Sequence, residues 1–254
     1  MALLSCTGVS ISFGGLRALS DAALDVGEWE VVGLIGPNGA GKTTLFNCIA
    51  GFYRPDSGRI EFRNRDVTEM PTHQRTAMGM GRTFQQVGLV RSLSVRDNLV
   101  LAQHPKVAYS IAAGLVALPG ALREERILRE NADEILAFLG LREIGSAPVS
   151  GLPYGTLKLV EVGLALATDP VLLLLDEPTS GMGPEESRGL GEIILRIRDE
   201  LGITVFLIEH HVPLVTQVCD QVYVLNFGEM LAHGTPSEVQ RNREVISTYL
   251  GEAV

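Results

Sequence analysis

Gly36-Pro37-Asn38-Gly39-Ala40-Gly41-Lys42-Thr43-Thr44 follows the apolar run Val31-Val32-Gly33-Leu34-Ile35 and precedes Leu45-Phe46-Asn47-Cys48-Ile49-Ala50. This order predicts a buried strand, a glycine-rich turn and a helix. It fills every fixed position of the phosphate-binding pattern G-x-x-x-x-G-K-[ST]. A triphosphate needs many donors converging on it, and side chains in the turn would hold the backbone away. Glycines let the chain curl so that successive N–H groups point inward as an anion nest. The helix beginning near Lys42 adds the positive end of its dipole. Lys42 can reach the β- and γ-phosphates, and the Thr43 hydroxyl can ligate Mg²⁺. A chance glycine turn would not bring the strand and the helix with it, so the stretch implies binding of a nucleoside triphosphate.

The 254 residues suffice for one large α/β domain, or one core with a small appended subdomain. With 46% apolar and 20% charged residues the chain is globular. Its net charge of −9 and the lack of a Lys/Arg cluster argue against a broad nucleic-acid-binding face. Cys6, Cys48 and Cys219 are sparse, have no metal-ligand spacing and suit a reducing cytosol. Residues 1–30 lack the basic start and apolar core of a signal peptide. Outside the predicted strands the longest apolar stretch is near Ile111–Leu118, well short of the ~20 residues that span a bilayer. A role at a membrane would therefore be that of a peripheral subunit.

Ahead of the phosphate loop, Leu3–Ser12 and Asp21–Val26 read as strands around the turn Phe13-Gly14-Gly15. Phe13 either stacks on a purine base or closes a hairpin core. After the loop come a turn at Arg54–Gly58, a short strand Arg59–Phe62, a helix Pro71–Ala77 and a strand Gly79–Phe84 that runs into Gln85-Gln86. A glutamine there can coordinate Mg²⁺ or position water, although a lone Gln at a strand end more often just meets solvent. Residues 87–150 change character. Ser94 is a plausible N-cap for a helix to Gln103. A Pro/Gly/Ala-rich connection follows, then a helical pattern over Ala121–Leu139. The Arg123-Glu124-Glu125-Arg126 run is a solvated helix face.

Gly151-Leu152-Pro153-Tyr154-Gly155-Thr156 opens a long apolar helix through about Thr168. Val171–Leu175 is all aliphatic, as expected of a strand buried on both faces, and it ends in Asp176-Glu177. Ligands bind at such strand ends in α/β sheets. Adjacent acids there are costly unless a cation or a reaction uses them. Asp176 suits Mg²⁺, directly or through water, and Glu177 suits polarising an attacking water. After a helix from Gly183-Pro184 to about Leu201, the strand Ile203–Ile208 ends at Glu209-His210-His211. His210 can contact a γ-phosphate or hold the water, though a lone strand-end His is usually structural. A helix Val212–Val218, a hairpin around Phe227-Gly228 and two short helices over Pro236–Leu250 complete the chain.

The order of these motifs resembles the nucleotide-binding subunits of ABC transporters over essentially the whole chain. Within that family it looks most like the ATPase subunits of bacterial branched-chain amino-acid uptake systems. Phe13-Gly14-Gly15-Leu16, Gly81-Arg82-Thr83-Phe84-Gln85, Asp176-Glu177-Pro178 with Gly181-Met182, Leu207-Ile208-Glu209-His210 and Gly234-Thr235-Pro236 carry the narrower resemblance. It implies a P-loop NTPase core with an antiparallel β subdomain and an inserted helical subdomain. The core would span 1–86 and 151–254, and the helical subdomain 87–150. It further implies ATP and Mg²⁺ as ligands. Phe13, Gly36, Pro37, Asn38, Gly39, Ala40, Gly41, Lys42, Thr43, Thr44, Gln85 and Asp176 would bind ATP. Thr43, Gln85 and Asp176 would hold the metal, and Glu177, His210 and Lys42 would serve hydrolysis. Implied partners are a second ATPase subunit, two membrane permease subunits and, indirectly, an extracytoplasmic solute-binding protein. ATP would lie between one subunit's P-loop and the other's signature segment Leu152-Pro153-Tyr154-Gly155-Thr156. Val87-Gly88-Leu89-Val90 reads equally as core or as part of a groove for a permease helix. The competing functions are a lipid or solute exporter's ATPase and a soluble ABC ATPase outside transport.

Three positions depart from the family pattern. Pro153 stands where members usually carry a Ser whose hydroxyl meets the γ-phosphate across the pair, and Thr156 replaces a Gln. Proline has neither hydroxyl nor N–H but suits a first helical turn. Gly183 falls where many members carry an Asp.

Overall fold

The structure is a computed structural model that describes residues 2–83, 88–104 and 119–250. It divides into two compact units, residues 1–82 with 171–254, and residues 83–170.

The first unit holds two sheets. Strands β1 (Ala2–Phe13) and β2 (Leu16–Gly27) form a hairpin, joined by β4 (Ser57–Phe62) and β5 (Arg65–Asp66) in the order β2-β1-β4-β5. Pairing within this sheet is antiparallel throughout. The second sheet runs β10 (Glu229–Gly234), β9 (Gln221–Asn226), β3 (Val31–Ile35), β8 (Thr204–Ile208), β7 (Leu172–Asp176) and β6 (Met80–Arg82). Its strands are parallel apart from β10, which closes one edge as a hairpin with β9. Every residue of β3, β7 and β8 is buried, which explains their largely apolar sequences, interrupted only by Gly33, by Thr204 and by Asp176 at the end of β7.

Helix α1 (Lys42–Ala50) connects the sheets. Leu45, Phe46 and Ile49 share one core with Leu4 and Val9 of β1, Leu34 of β3, Leu174 of β7 and Phe206 of β8. The Phe46 and Phe206 rings stack at 6.2 Å. Each fully buried Leu or Phe stabilises this core by about 1.5–3 kcal/mol. At the far end of α1, the Arg75 guanidinium of α2 (Thr72–Ala77) donates to the carbonyls of Cys48 and Ile49 at 2.7 and 2.6 Å. All three cysteines are free and buried. Burial pushes their thiols up, Cys48 to about 11, so they stay protonated and unreactive at neutral pH.

The second unit is helical among its described residues. It contains α3 (Val95–Ala102), α4 (Pro119–Phe138) and α5 (Tyr154–Leu166). The Ser94 side chain caps α3 by accepting the Asp97 N–H, as its position suggests. Gly163 lets α5 approach closely: a Cβ there would come within 3.0 Å of Leu139. The first unit is completed by α6 (Pro184–Leu201), α7 (Val212–Val218), α8 (Pro236–Arg241) and α9 (Arg243–Leu250).

Three boundaries differ from the expectation. Strand β2 begins at Leu16 rather than Asp21, because Gly14-Gly15 turns tightly enough for Leu16 to pair with Phe13. Among the described residues strand β6 covers Met80–Arg82, which pair with β7, while Phe84 lies outside the described residues. Helix α5 starts at Tyr154, three-residue 3₁₀ geometry occupying Val149–Gly151 instead.

Candidate functional site

The glycine loop leaves β3 at Gly36 and enters α1 at Lys42. Gly41 is the N-cap with φ 101°, a left-handed conformation, and no side chain caps the helix. Side chains are also excluded by contact. A Cβ on Gly36 would lie 2.1 Å from the Leu225 carbonyl oxygen, and one on Gly41 2.6 Å from that of Ala18. Lys42 Nζ donates to the carbonyls of Gly36 at 2.7 Å and Pro37 at 2.9 Å, which holds the buried ammonium against the loop. The Ala40 amide donates to the Pro37 carbonyl at 3.2 Å, closing the loop around Asn38 and Gly39. Thr43 and Thr44 follow in the first helical turn, both half-buried. An uncapped helix start, a loop with no room for a side chain at Gly36 or Gly41 and a fixed ammonium together accept a polyanion.

Phe13 ends β1 and is 44% exposed, which removes the hairpin-core alternative. Its ring meets Tyr53 edge-on at 5.3 Å, so two aromatics share this surface. Tyr53 carried no sequence signal, because the pair forms only when the hairpin folds back beside the end of α1.

Asp176 ends β7 and is 2% exposed. Its Oδ2 is 3.4 Å from Arg82 at the end of neighbouring β6. The Arg82 guanidinium also donates to Asn47 Oδ1 at 2.8 Å and stacks between Phe46 and Phe52, at 4.6 and 4.7 Å from the ring centroids. Burial draws its pKa down, while Asp176 pulls it back up. Arg82 thereby holds the strand-end carboxylate against α1. The sequence carried Arg82 in a motif without revealing this partner, since β6 and β7 are neighbours only in the sheet.

Glu177 is half-buried and has φ 45°, an uncommon conformation for a residue with a side chain. Its amide donates to the Ile208 carbonyl of β8 at 3.0 Å. That link brings its Oε1 to 3.9 Å from Nδ1 of His210, which is exposed just past β8. Beside them the loop Thr179–Gly183 and residues Pro184, Ser187 and His211 line a polar cleft of about 260 Å³. Gly183 is the N-cap of α6. Without a side chain of its own, it donates its N–H to Glu186 Oε2 at 2.9 Å.

In the second unit Leu152, Pro153, Tyr154, Gly155 and Thr156 lie at the start of α5. Pro153 is the N-cap, just outside the first turn rather than within it. Pro153 and Tyr154 are exposed and Gly155 is buried. No side chain caps α5, because Pro153 supplies none. Gln85 lies outside the described residues.

Residues 19–180 match the model of the family described as ABC transporter. The chain belongs to the ABC transporter family. As one of its ATP-binding cassettes, it binds and hydrolyses ATP. Residues 229–254 match a second model, described as branched-chain amino acid ATP-binding cassette transporter. The high-affinity branched-chain amino acid transport ATP-binding protein LivG of Salmonella typhimurium strain LT2 is 42% identical over 251 residues, which covers 99% of this chain and 98% of that protein. BraF of Pseudomonas aeruginosa, with the same description, is 40% identical over the same shares. The lipopolysaccharide export system ATP-binding protein LptB of Escherichia coli K12 is 34% identical over 99% of this chain and 98% of that protein. The solved ADP conformation of an ATP-binding cassette of an ABC transporter has 31% identity and a TM-score of 0.86 to this ABC cassette, covering 99% of both chains. Among the described residues, no helix of this cassette is long and apolar enough to cross a membrane.

Proposed function

We propose that this cassette powers an importer of branched-chain or other amino acids, as a peripheral subunit on the cytoplasmic face of the membrane. The observation that carries this reading is the C-terminal match over residues 229–254, in a part of the chain remote from the phosphate loop. Identity of 40–42% to LivG and BraF, against 34% to LptB, favours import over lipid export. The partners we assign are a second ATPase chain, two permease chains and an extracytoplasmic solute-binding protein. We assign the helical subdomain, read from sequence as 87–150 and compact in the structure over 83–170, to permease docking. Val90 is exposed there, with its backbone hydrogen-bonded to the Asn98 side chain in both directions.

For the reaction, Phe13 offers a face to the adenine and Gly36–Thr44 wrap the phosphates. Among the described residues no group of three or more His, Cys, Asp or Glu forms a cage for a metal. Mg²⁺ needs none, being held commonly by one or two carboxylates together with substrate phosphates. The Thr43 hydroxyl and the Asp176 carboxylate are hard oxygen donors that fit it, and Gln85 is the third ligand we assign. When bound, Mg²⁺ neutralises charge on the phosphate oxygens. Glu177 orients and polarises the attacking water, and His210, within reach of Glu177, holds the γ-phosphate side of the site. Lys42 stabilises charge that develops on the phosphates.

The signature segment Leu152–Thr156 closes over the partner's nucleotide. With Pro153 in place of a hydroxyl donor at that position, the segment relies more on the uncapped amides and dipole of α5. Pro153→Ser restores an N-cap and a hydroxyl together. It is expected to raise nucleotide-driven pairing or ATP turnover in the assembled complex, and unchanged values of both would rule out the weakened-signature reading. A cap by itself adds about 0.5–2 kcal/mol to stability, so melting of the variant separates the two contributions. The importer reading is tested by uptake of labelled leucine, isoleucine, valine, urea and aromatic acids in a strain lacking this chain. Loss confined to the amino acids is expected, and retained amino-acid uptake would contradict it.

A further inference from the structure

The strand-end motif contains a second acid that the reaction does not use directly. Glu209 is 0% exposed, and no lysine or arginine is paired with it among the hydrogen bonds and ion pairs of the described residues. Its carboxylate is nevertheless fully engaged. The Thr179 amide and hydroxyl donate to Oε1 at 3.0 and 2.5 Å. The amides of His210 and His211 donate to Oε2 at 3.0 and 3.1 Å. One oxygen therefore holds the loop after β7 and the other holds the loop after β8.

The two loops carry the groups assigned to hydrolysis. Thr179 stands two residues beyond Glu177, and the Ser180 amide donates back to the Glu177 carbonyl at 3.0 Å. His210 is the residue next to Glu209. The Glu177 backbone is held at φ 45°, a conformation that costs about 1–3 kcal/mol and persists only where its surroundings enforce it. Four charge-assisted hydrogen bonds in a dry site supply that enforcement. The Ser187 hydroxyl and His211 Nδ1, 3.3 Å apart, add a second link from α6 to the loop after β8.

We infer that Glu209 is a positioning residue that fixes Glu177 and His210 relative to each other and sets the entry to the loop Thr179–Gly183. The inference rests on reading Glu177 and His210 as the hydrolytic pair. A glutamine at 209 keeps the shape but replaces one acceptor oxygen by an NH₂ group, which faces donors and cannot serve them. One loop is then released while the phosphate loop, which Glu209 does not touch, stays intact.

The experiment measures ATP affinity, steady-state ATP turnover and melting temperature for the full chain and for E209Q, T179A, E177Q and the double variant E209Q/E177Q. For E209Q, turnover is expected to fall about 10²-fold, the scale of a misplacement of about 1 Å, with ATP affinity unchanged. T179A removes one of the four bonds without touching the carboxylate, and serves if E209Q does not fold. It is expected to lower turnover about tenfold, the scale of one hydrogen bond to a charged group. In the E177Q background, E209Q is expected to cost far less than the loss of about 10²-fold seen with Glu177 present, because only His210 is left for it to position. A folded E209Q or T179A chain with wild-type turnover would overturn the inference. So would a drop in ATP affinity that accounts for the whole loss, because that is a general structural effect. If E177Q itself hydrolysed ATP normally, the underlying assignment of Glu177 would fail first, and that result is visible independently of Glu209.

Discussion

Glu177→Gln is expected to leave ATP binding intact and to lower hydrolysis by about 10³-fold, within the range of a lost general base. In the proposed site, binding rests on the loop Gly36–Thr44 and on Lys42, whose ammonium is already anchored by the carbonyls of Gly36 and Pro37. None of these groups touches Glu177 through any hydrogen bond of the described residues. The carboxylate stands at the end of the fully buried β7, with its amide tied to Ile208 and its Oε1 3.9 Å from His210. An amide of the same shape can occupy that place but cannot polarise a water or take its proton. ATP retention by filter binding, together with phosphate release over time, checks this outcome. Continued release at the wild-type rate would mean that another group activates the water.

The second large effect concerns stability. Arg75→Met is expected to destabilise the fold by about 3 kcal/mol or more, the scale for several buried acceptors left without donors. Arg75 is 1% exposed and donates to four carbonyls: Cys48 and Ile49 at 2.7 and 2.6 Å, Met70 at 2.8 Å and Thr68 at 3.2 Å. Two of these belong to the last turn of α1, where a positive charge also meets the negative end of the helix dipole. Burial pulls the guanidinium down to about 10, so it remains charged at neutral pH. Methionine fills much of the volume but offers no donor. For a domain of this size the loss corresponds to a fall of about 6–12 °C in Tm. Calorimetry checks it, and a fall of less than about 2 °C would show that water satisfies those carbonyls. Since α1 carries Lys42 and Thr43 at its other end, the same arginine anchors the helix on which the phosphate loop is built.

The parts of the fold legible in the sequence are those whose causes are local. The glycine loop announces itself because a backbone that must curl around an anion tolerates no side chains. Strands β3 and β7 are visible as apolar runs and β8 as a β-branched-rich one because both faces of a central parallel strand are buried. Ser94 was readable as a cap because capping involves residues three apart. What escaped depends on neighbours distant in sequence. Arg82 meets Asp176 across a strand pair, Glu209 meets Thr179 across the sheet end, and Arg75 meets α1 from another helix. No periodicity encodes such meetings. Pro153 sits between these cases. Its chemistry was evident, but whether it lay inside or outside the first turn of α5 depended on the preceding 3₁₀ segment, which propensity does not specify.

The paired acids at the end of β7 also show how a costly local pattern becomes informative. Asp176 is held by Arg82, whereas Glu177, at φ 45°, has its Oε1 near His210, so the two adjacent carboxylates have different partners. The third acid, Glu209, is buried like Asp176, but it is stabilised by backbone amides and a hydroxyl instead of a cation. These three environments suit the proposed roles of metal ligand, water activation and positioning along two adjacent strand ends.

The measurement that bears most directly on the central claim is restoration of amino-acid uptake in the deletion strain by wild-type and Lys42→Ala chains expressed at equal levels. The wild-type chain is expected to restore uptake of labelled leucine, isoleucine and valine, and the Lys42→Ala chain to restore none, because transport is driven through the phosphate loop. Full uptake with Lys42→Ala would contradict the account.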